Sequence, residues 1–149
     1  MKIALGCDHG GLNLKNEIAK YLIETGMEIK DFGTYTTDSC DYPDIALPVA
    51  EAVVSKEVDF GILICGTGIG ISIAANKVPG VRAALCSDTF SAHATREHNN
   101  ANILAMGERV VGKGLALDIV KTFIESKFEG DRHMLRIDKI TNIEKKYSK

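Results

Sequence analysis

The sequence has no tryptophan, only three prolines, and aromatic residues at just 6% of its 149 positions. No apolar run approaches the ~18 residues that a membrane-spanning helix requires. The amino terminus, Met1-Lys2-Ile3-Ala4-Leu5-Gly6-Cys7-Asp8, turns polar too early for a secretory signal. The cytoplasm is therefore the expected compartment. Charge of one sign is lacking too: 18 basic and 20 acidic residues leave a formal net charge of −2. A general nucleic-acid binder needs a basic surface, so that class is set aside. The four cysteines, Cys7, Cys40, Cys65 and Cys86, contain no Cys-x-x-Cys pair, and they read as free thiols rather than a disulfide framework. Repeats, linkers and low-complexity segments are absent. A length of 149 residues, 45% of them hydrophobic, suits one domain spanning 1–149.

What is present is an alternation of short β-branched runs with amphipathic helical stretches. Lys2–Cys7 reads as a first strand, closed by the polar turn Asp8-His9-Gly10-Gly11. Leu14, Ile18 and Leu22, repeating every four residues, predict a helix that stops near Gly26. A second strand covers 28–32, and 33–42 is a loop. Pro43 opens a helical stretch to about Lys56, in which Pro48 is expected to delay regular helix until near Leu47. The continuous apolar run Phe60-Gly61-Ile62-Leu63-Ile64-Cys65 predicts a central parallel strand covered on both faces. Beyond a glycine loop come a short helix over 71–77, a strand over 81–86, a helix over 88–99, a strand over 102–106 and a helix over 115–127. The expected class is α/β, a doubly wound five-stranded parallel sheet sandwiched by helices. An extra C-terminal helix, about 132–147, lies beyond the last alternating unit. Its stripe of Met134, Ile137, Ile140, Ile143 and Tyr147 either packs on its own sheet or meets a second copy of the chain.

In an open parallel sheet the ligand crevice lies beyond the carboxyl ends of the strands. Those ends carry Asp8-His9, Cys65 with the loop Gly66-Thr67-Gly68-Ile69-Gly70, Ser87-Asp88, and Gly107-Glu108-Arg109. Three glycines in five residues let successive N–H groups face one concavity, suited to a phosphate or to an oxyanion formed during reaction. A tight strand-to-helix turn would use the same residues. The spacing G-x-G-x-G is not the dinucleotide G-x-G-x-x-G, and no Gly-Lys-Ser/Thr follows for a P-loop. Cys65 adjoins the loop, where it reads either as inert packing or as a favoured thiolate serving as base or nucleophile, whereas Cys7 and Cys86 at comparable strand ends read more readily as inert. A metal site from Cys7, Cys65, Cys86 and His9 has scattered spacing, and no metal is assigned. His98, followed by two amides, is expected at the sheet's mouth, either as a solvated helix end or as a proton-transfer group for a polyhydroxylated ligand. Arg132 and Arg136, four apart around His133, open a helix where cations oppose the dipole. They fit an external phosphate or a solvated basic face balanced by Asp131.

Gly6-Cys7-Asp8-His9, Asp41-Tyr42-Pro43, the stretch Ile64-Cys65-Gly66-Thr67-Gly68-Ile69-Gly70-Ile71-Ser72-Ile73-Ala74-Ala75-Asn76-Lys77, Arg96-Glu97-His98-Asn99-Asn100 and Arg132-His133 together resemble the type B ribose-5-phosphate isomerases. That family also includes galactose-6-phosphate and allose-6-phosphate isomerases, and the resemblance runs nearly end to end. It implies a Rossmann-like homodimer, with a tetramer as the alternative, free of metal and cofactor. The implied reaction interconverts ribose 5-phosphate and ribulose 5-phosphate through an enediol, in pentose phosphate metabolism. On this likeness Cys65 takes the C2 proton, Thr67 and the backbone of Gly66, Gly68, Ile69 and Gly70 stabilise the enediolate, and His98 with Asp8 assists ring opening. Asp8, His9 and Asn99 would hold sugar hydroxyls, and Arg109, Arg132 and Arg136 the phosphate, the C-terminal arginines coming across the dimer. Tyr42 and His133 complete the implied substrate-binding set. Some members replace the cysteine with a glutamate on another element; this sequence keeps Cys65. A six-carbon aldose phosphate is the alternative substrate. A non-catalytic sugar-phosphate or nucleotide sensor, and a metal-dependent lyase or hydrolase, are the rival classes.

Overall fold

The computed structural model describes residues 1–149. Its strands are β1 (Lys2–Cys7), β2 (Glu28–Asp31), β3 (Phe60–Cys65), β4 (Ala83–Leu85) and β5 (Ile103–Gly107). They form one all-parallel sheet in the order β2-β1-β3-β5-β4. The helices are α1 (Leu12–Glu24), α2 (Tyr42–Val54), α3 (Ile69–Ala75), α4 (Thr89–Glu97), α5 (Lys113–Glu125) and α6 (Arg132–Tyr147). No helix is long and apolar enough to cross a membrane.

Strand side chains alternate between faces, so a strand buried on both must be apolar throughout. β3 is such a strand, and it is the central one. Ile62 and Ile64 join Leu14, Ile18 and Leu22 of α1, Ala92 of α4 and Phe123 of α5 on one face. Leu63 and Cys65 join Val49 and Val53 of α2 and Ile71 and Ala75 of α3 on the other. Because α1 and α2 leave the sheet on opposite faces, the chain changes winding direction between β1 and β3, where a crevice is expected at the carboxyl ends.

Two expectations are corrected. α2 runs unbroken from Tyr42 through Pro48 rather than beginning near Leu47. Burial of Ala46, Val49, Ala50 and Val53 against the sheet outweighs the one lost backbone hydrogen bond. β4 keeps only Ala83–Leu85 of its expected span; as an edge strand it pairs on one side only. The loop after β2 is pinned from inside the molecule. Lys15, fully buried, donates to Asp31 Oδ1 and to the Thr34 carbonyl, both at 2.7 Å, beneath the Tyr35 ring.

α6 belongs to neither face of the sandwich. It buries His133 and Ile137, and its Glu144 accepts a hydrogen bond from the Gly80 amide just before β4. The rest of the expected apolar stripe stays in solvent: Met134 is 42%, Ile140 49%, Ile143 62% and Tyr147 78% exposed. Between α6 and the β4 edge lies a cavity of about 590 Å³, bordered by Arg82, Asn99, Ile140 and Ile143 among others.

Candidate active site

The end of β3 is the centre of the site because its two neighbours end beside it. Cys7 of β1 is in register with Ile64, and Gly107 of β5 with Cys65. Cys65 is 5% exposed, and its Sγ accepts a hydrogen bond from the Gly68 amide at 3.0 Å. That contact stabilises negative charge on sulfur. The amides of Gly66 and Thr67 donate to nothing within the chain and remain available to a ligand oxygen. Thr67 Oγ1 accepts from the Ile69 amide at 3.2 Å, which tightens the turn into α3.

Two glycines make this geometry possible. Gly68 has φ +79°, a left-handed conformation that ordinary residues avoid, and a β-carbon there would lie 2.6 Å from the Met106 carbonyl carbon. Gly107, on the neighbouring strand, lets Thr67 approach so closely that a β-carbon would sit 2.5 Å from the Thr67 carbonyl carbon.

Around the loop stand four expected residues. Asp8, 8% exposed, accepts from the Gly10 amide at 2.9 Å and thereby caps the turn His9–Gly11. His9 Nδ1 accepts from the Cys40 amide at 3.2 Å, which leaves the ring proton on Nε2. The Tyr42 ring covers Gly70, and the Arg109 guanidinium packs beside Gly66, whose carbonyl accepts from the Arg109 amide at 3.1 Å. Asp8, His9, Tyr42, Cys65, Gly66–Gly70 and Arg109 thus form one cluster.

The remaining expected residues do not join it. α4 runs antiparallel to the strands, so His98 and Asn99, which follow it, return to the amino end of β5 rather than to the sheet's mouth. The Asn102 carbonyl accepts from the amide of Gly61 at the start of β3, 3.0 Å away, and fixes that placement. Arg132, His133 and Arg136 begin α6 at this same end: the His133 ring stacks on His98 with centroids 4.3 Å apart and planes 15° from parallel. Across the six residues of β3 the two clusters are separated by about 16 Å. No cavity of the single chain is lined by Cys65.

Cys7 and Cys86, expected to be inert, are both buried. Burial pushes Cys7 up to about 12 and Cys86 up to about 11, against an ordinary 9.0. Both lie on the α1 side of the sheet, opposite Cys65, so the four-residue metal set of Cys7, Cys65, Cys86 and His9 does not assemble. By distance alone a metal could meet His98, Glu129 and His133, whose ligand atoms lie within 4.8 Å of one another. The rings, however, face each other. Their lone pairs lie in nearly parallel planes and do not converge on one point. His133 Nε2 is 3.4 Å from Glu129 Oε2, ion-pair distance, but lacks hydrogen-bond geometry.

Several residues that shape the site carried no role in the sequence. Gly107 is one; it was placed at its strand's end, but nothing there signalled that Thr67 must pack against it. Arg82, Arg96 and Glu129 surround the His98 turn. Of these, Arg96 alone stood in a recognised motif, without a role.

A thiol and a ring of main-chain donors at the carboxyl end of a doubly wound α/β sheet form an arrangement chemically suited to proton transfer next to a developing oxyanion. The chain belongs to the ribose/galactose isomerase family, whose model matches residues 3–140. It is 53% identical over 145 residues to ribose-5-phosphate isomerase B of Escherichia coli, covering 97% of both chains. A D-erythrulose-4-phosphate isomerase of Pectobacterium atrosepticum is 42% identical, over 94% of this chain and 93% of that protein. Among solved structures, ribose-5-phosphate isomerase B of Clostridium thermocellum is 63% identical and superimposes with a TM-score of 0.98, over 99% of this chain and 100% of the other.

Proposed function

We propose that the protein interconverts ribose 5-phosphate and ribulose 5-phosphate, with Cys65 carrying the proton. The observation that supports this most directly is the Gly68 amide on Cys65 Sγ, beside two amides with no partner of their own. The closed sugar must first open. The C1–O4 bond breaks with its electron pair on O4, which takes a proton, while the C1 hydroxyl gives one up and becomes the aldehyde. Cys65 thiolate then removes the C2 proton, and the electrons move onto the aldehyde oxygen as an enediolate. The Gly66 and Thr67 amides, which have no partner within the chain, receive that charge. Returning the proton to C1, while the O2 proton is lost and O1 gains one, gives the ketose. Asp8, His9 and Tyr42 border the same space and suit the sugar hydroxyls.

Ring opening and phosphate binding fall to a second copy of the chain. His98 is the proton donor to O4, and Asn99, Arg132, His133 and Arg136 accompany it, with Arg109 on the Cys65 side. Three facts support a homodimer: the ~16 Å between the clusters, the lack of a walled cavity at Cys65, and the exposed Ile140 and Ile143 on α6.

The test is an isomerase assay on ribose 5-phosphate after chelator treatment. Turnover persists without metal, and Cys65→Ala lowers kcat by about 10²–10⁴-fold while substrate binding by calorimetry is retained. Comparable turnover in that variant would remove Cys65 from its role. The four-carbon ketose named for the Pectobacterium relative makes sugar length a separate question. Comparing kcat/KM across four-, five- and six-carbon aldose phosphates answers it.

A further inference from the structure

The turn that carries His98 is held by two arginines, neither of which makes a direct ion pair; the nearest carboxylate felt by Arg82 is Glu144. Arg96, in the last turn of α4, is 7% exposed. Its Nη1 donates to Asn100 Oδ1 at 2.9 Å and to the Ala101 carbonyl at 2.6 Å. Its guanidinium lies over the Phe60 and Phe123 rings, 4.6 and 5.7 Å from their centroids. From the opposite side Arg82, just before β4, donates through Nε to the carbonyls of Asn99 and Asn100, both at 3.1 Å, and through Nη2 to that of Asn100 at 3.0 Å. The molecule's ion pairs are all made by lysine or histidine. Arg96 Nε is buried without any partner. Desolvation first, then the charge of Arg82, pulls the Arg96 guanidinium below its ordinary value.

Arg96, desolvated beside a like charge and without a salt bridge, works against folding, and Arg82 is offset only in part by Glu144. Packing alone does not call for a charge over Phe60 and Phe123, whose rings already meet edge to face, since an unbranched apolar side chain would cover them. What only a guanidinium supplies is a rigid fork of donors matched to several oxygens at once. Those oxygens all belong to Asn99, Asn100 and Ala101. Asn100 is left-handed, with φ +47°, and the chain reverses there from α4 into β5. Fixing that reversal fixes where the His98 ring and the Asn99 amide leave the backbone.

We propose that Arg82 and Arg96 are positioning residues for His98 and Asn99, holding this turn in the conformation that brings the imidazole to the sugar ring oxygen. The inference rests on the role given to His98 above. Its test separates ring opening from proton transfer. Ribulose 5-phosphate is an open chain, so exchange of its C1 hydrogen with deuterated solvent needs Cys65 but no ring opening. Conversion of ribose 5-phosphate needs both. In Arg82→Lys and Arg96→Lys, aldose conversion falls by about 10–100-fold while C1 exchange stays within about twofold of the parent. His98→Gln gives the same split. Equal losses in both assays, or no loss in either, would overturn the positioning role. Should Arg96→Lys fail to fold, the half-buried Arg82 decides the matter alone. His98→Gln with full aldose conversion removes the underlying reading of His98. A split in His98→Gln without one in the arginine variants removes only the positioning claim.

Discussion

Three cysteines at strand ends look alike on paper, and their surroundings separate them. Cys65 faces an amide donor, whereas Cys7, whose thiol meets the Thr34 carbonyl, and Cys86 are held at about 12 and about 11 chiefly by burial. This difference has a consequence for stability. The unfolded chain releases both protons near the ordinary 9.0, while the folded chain keeps them. The folded state therefore binds more protons than the unfolded one between pH 9 and 12, and stability falls as pH rises through that window. Below pH 9 the two states are equally protonated at these sites and their contribution is intact. Chemical denaturation from pH 8 to 11 is expected to show a declining midpoint above pH 9, and a Cys7→Ala, Cys86→Ala double variant a shallower decline. Equal slopes would mean that other groups carry the alkaline loss. The same contrast predicts that iodoacetamide at pH 8 spares Cys7 and Cys86, read by peptide mass spectrometry.

At the level of elements, α2 shows how tertiary burial overrides a local rule. A proline inside a helix removes a hydrogen bond and crowds the preceding turn, a cost of about 3 kcal/mol relative to alanine in isolated helices. Pro48 stays helical because the face beside it is buried. Pro48→Ala is expected to stabilise the protein by about 1–2 kcal/mol, less than that full cost because proline also restricts the unfolded chain. A raised thermal midpoint checks it; a lowered one would show that the kink is needed for packing. The same competition explains what could be read in advance. Strand and helix order followed from periodicity, since β3 is apolar on both faces and Leu14, Ile18 and Leu22 recur on one side of α1. The Cys65 loop followed from its glycines. The start of α2, the length of β4 and the need for Gly107 depend on which surfaces meet, and no local pattern encodes that. The mouth residues were legible because strand ends are local features. His98 was misplaced because its position depends on the direction in which α4 runs.

For the whole molecule, the decisive fact is that the proposed base and the proposed ring-opening histidine sit at opposite ends of one sheet. A single chain of this thickness cannot fold one onto the other without dismantling β3, its central strand. Two chains can, if the amino end of one sheet meets the carboxyl end of the other, and twofold symmetry then makes two equal sites at once. In that proposed arrangement each site would take Cys65 from one chain and His98 from its partner. Cys65→Ala and His98→Gln homodimers are then both impaired, for different reasons. In a mixed dimer of the two variants, one site carries both substitutions and the other carries neither. Random reassociation makes half the dimers mixed, so unfolding and refolding an equimolar mixture is expected to restore about a quarter of the parent activity. Each variant refolded alone stays at its own low level. If the mixture does no better than the mean of the two variants, Cys65 and His98 do not serve a shared site, and the sheet's two ends have separate roles.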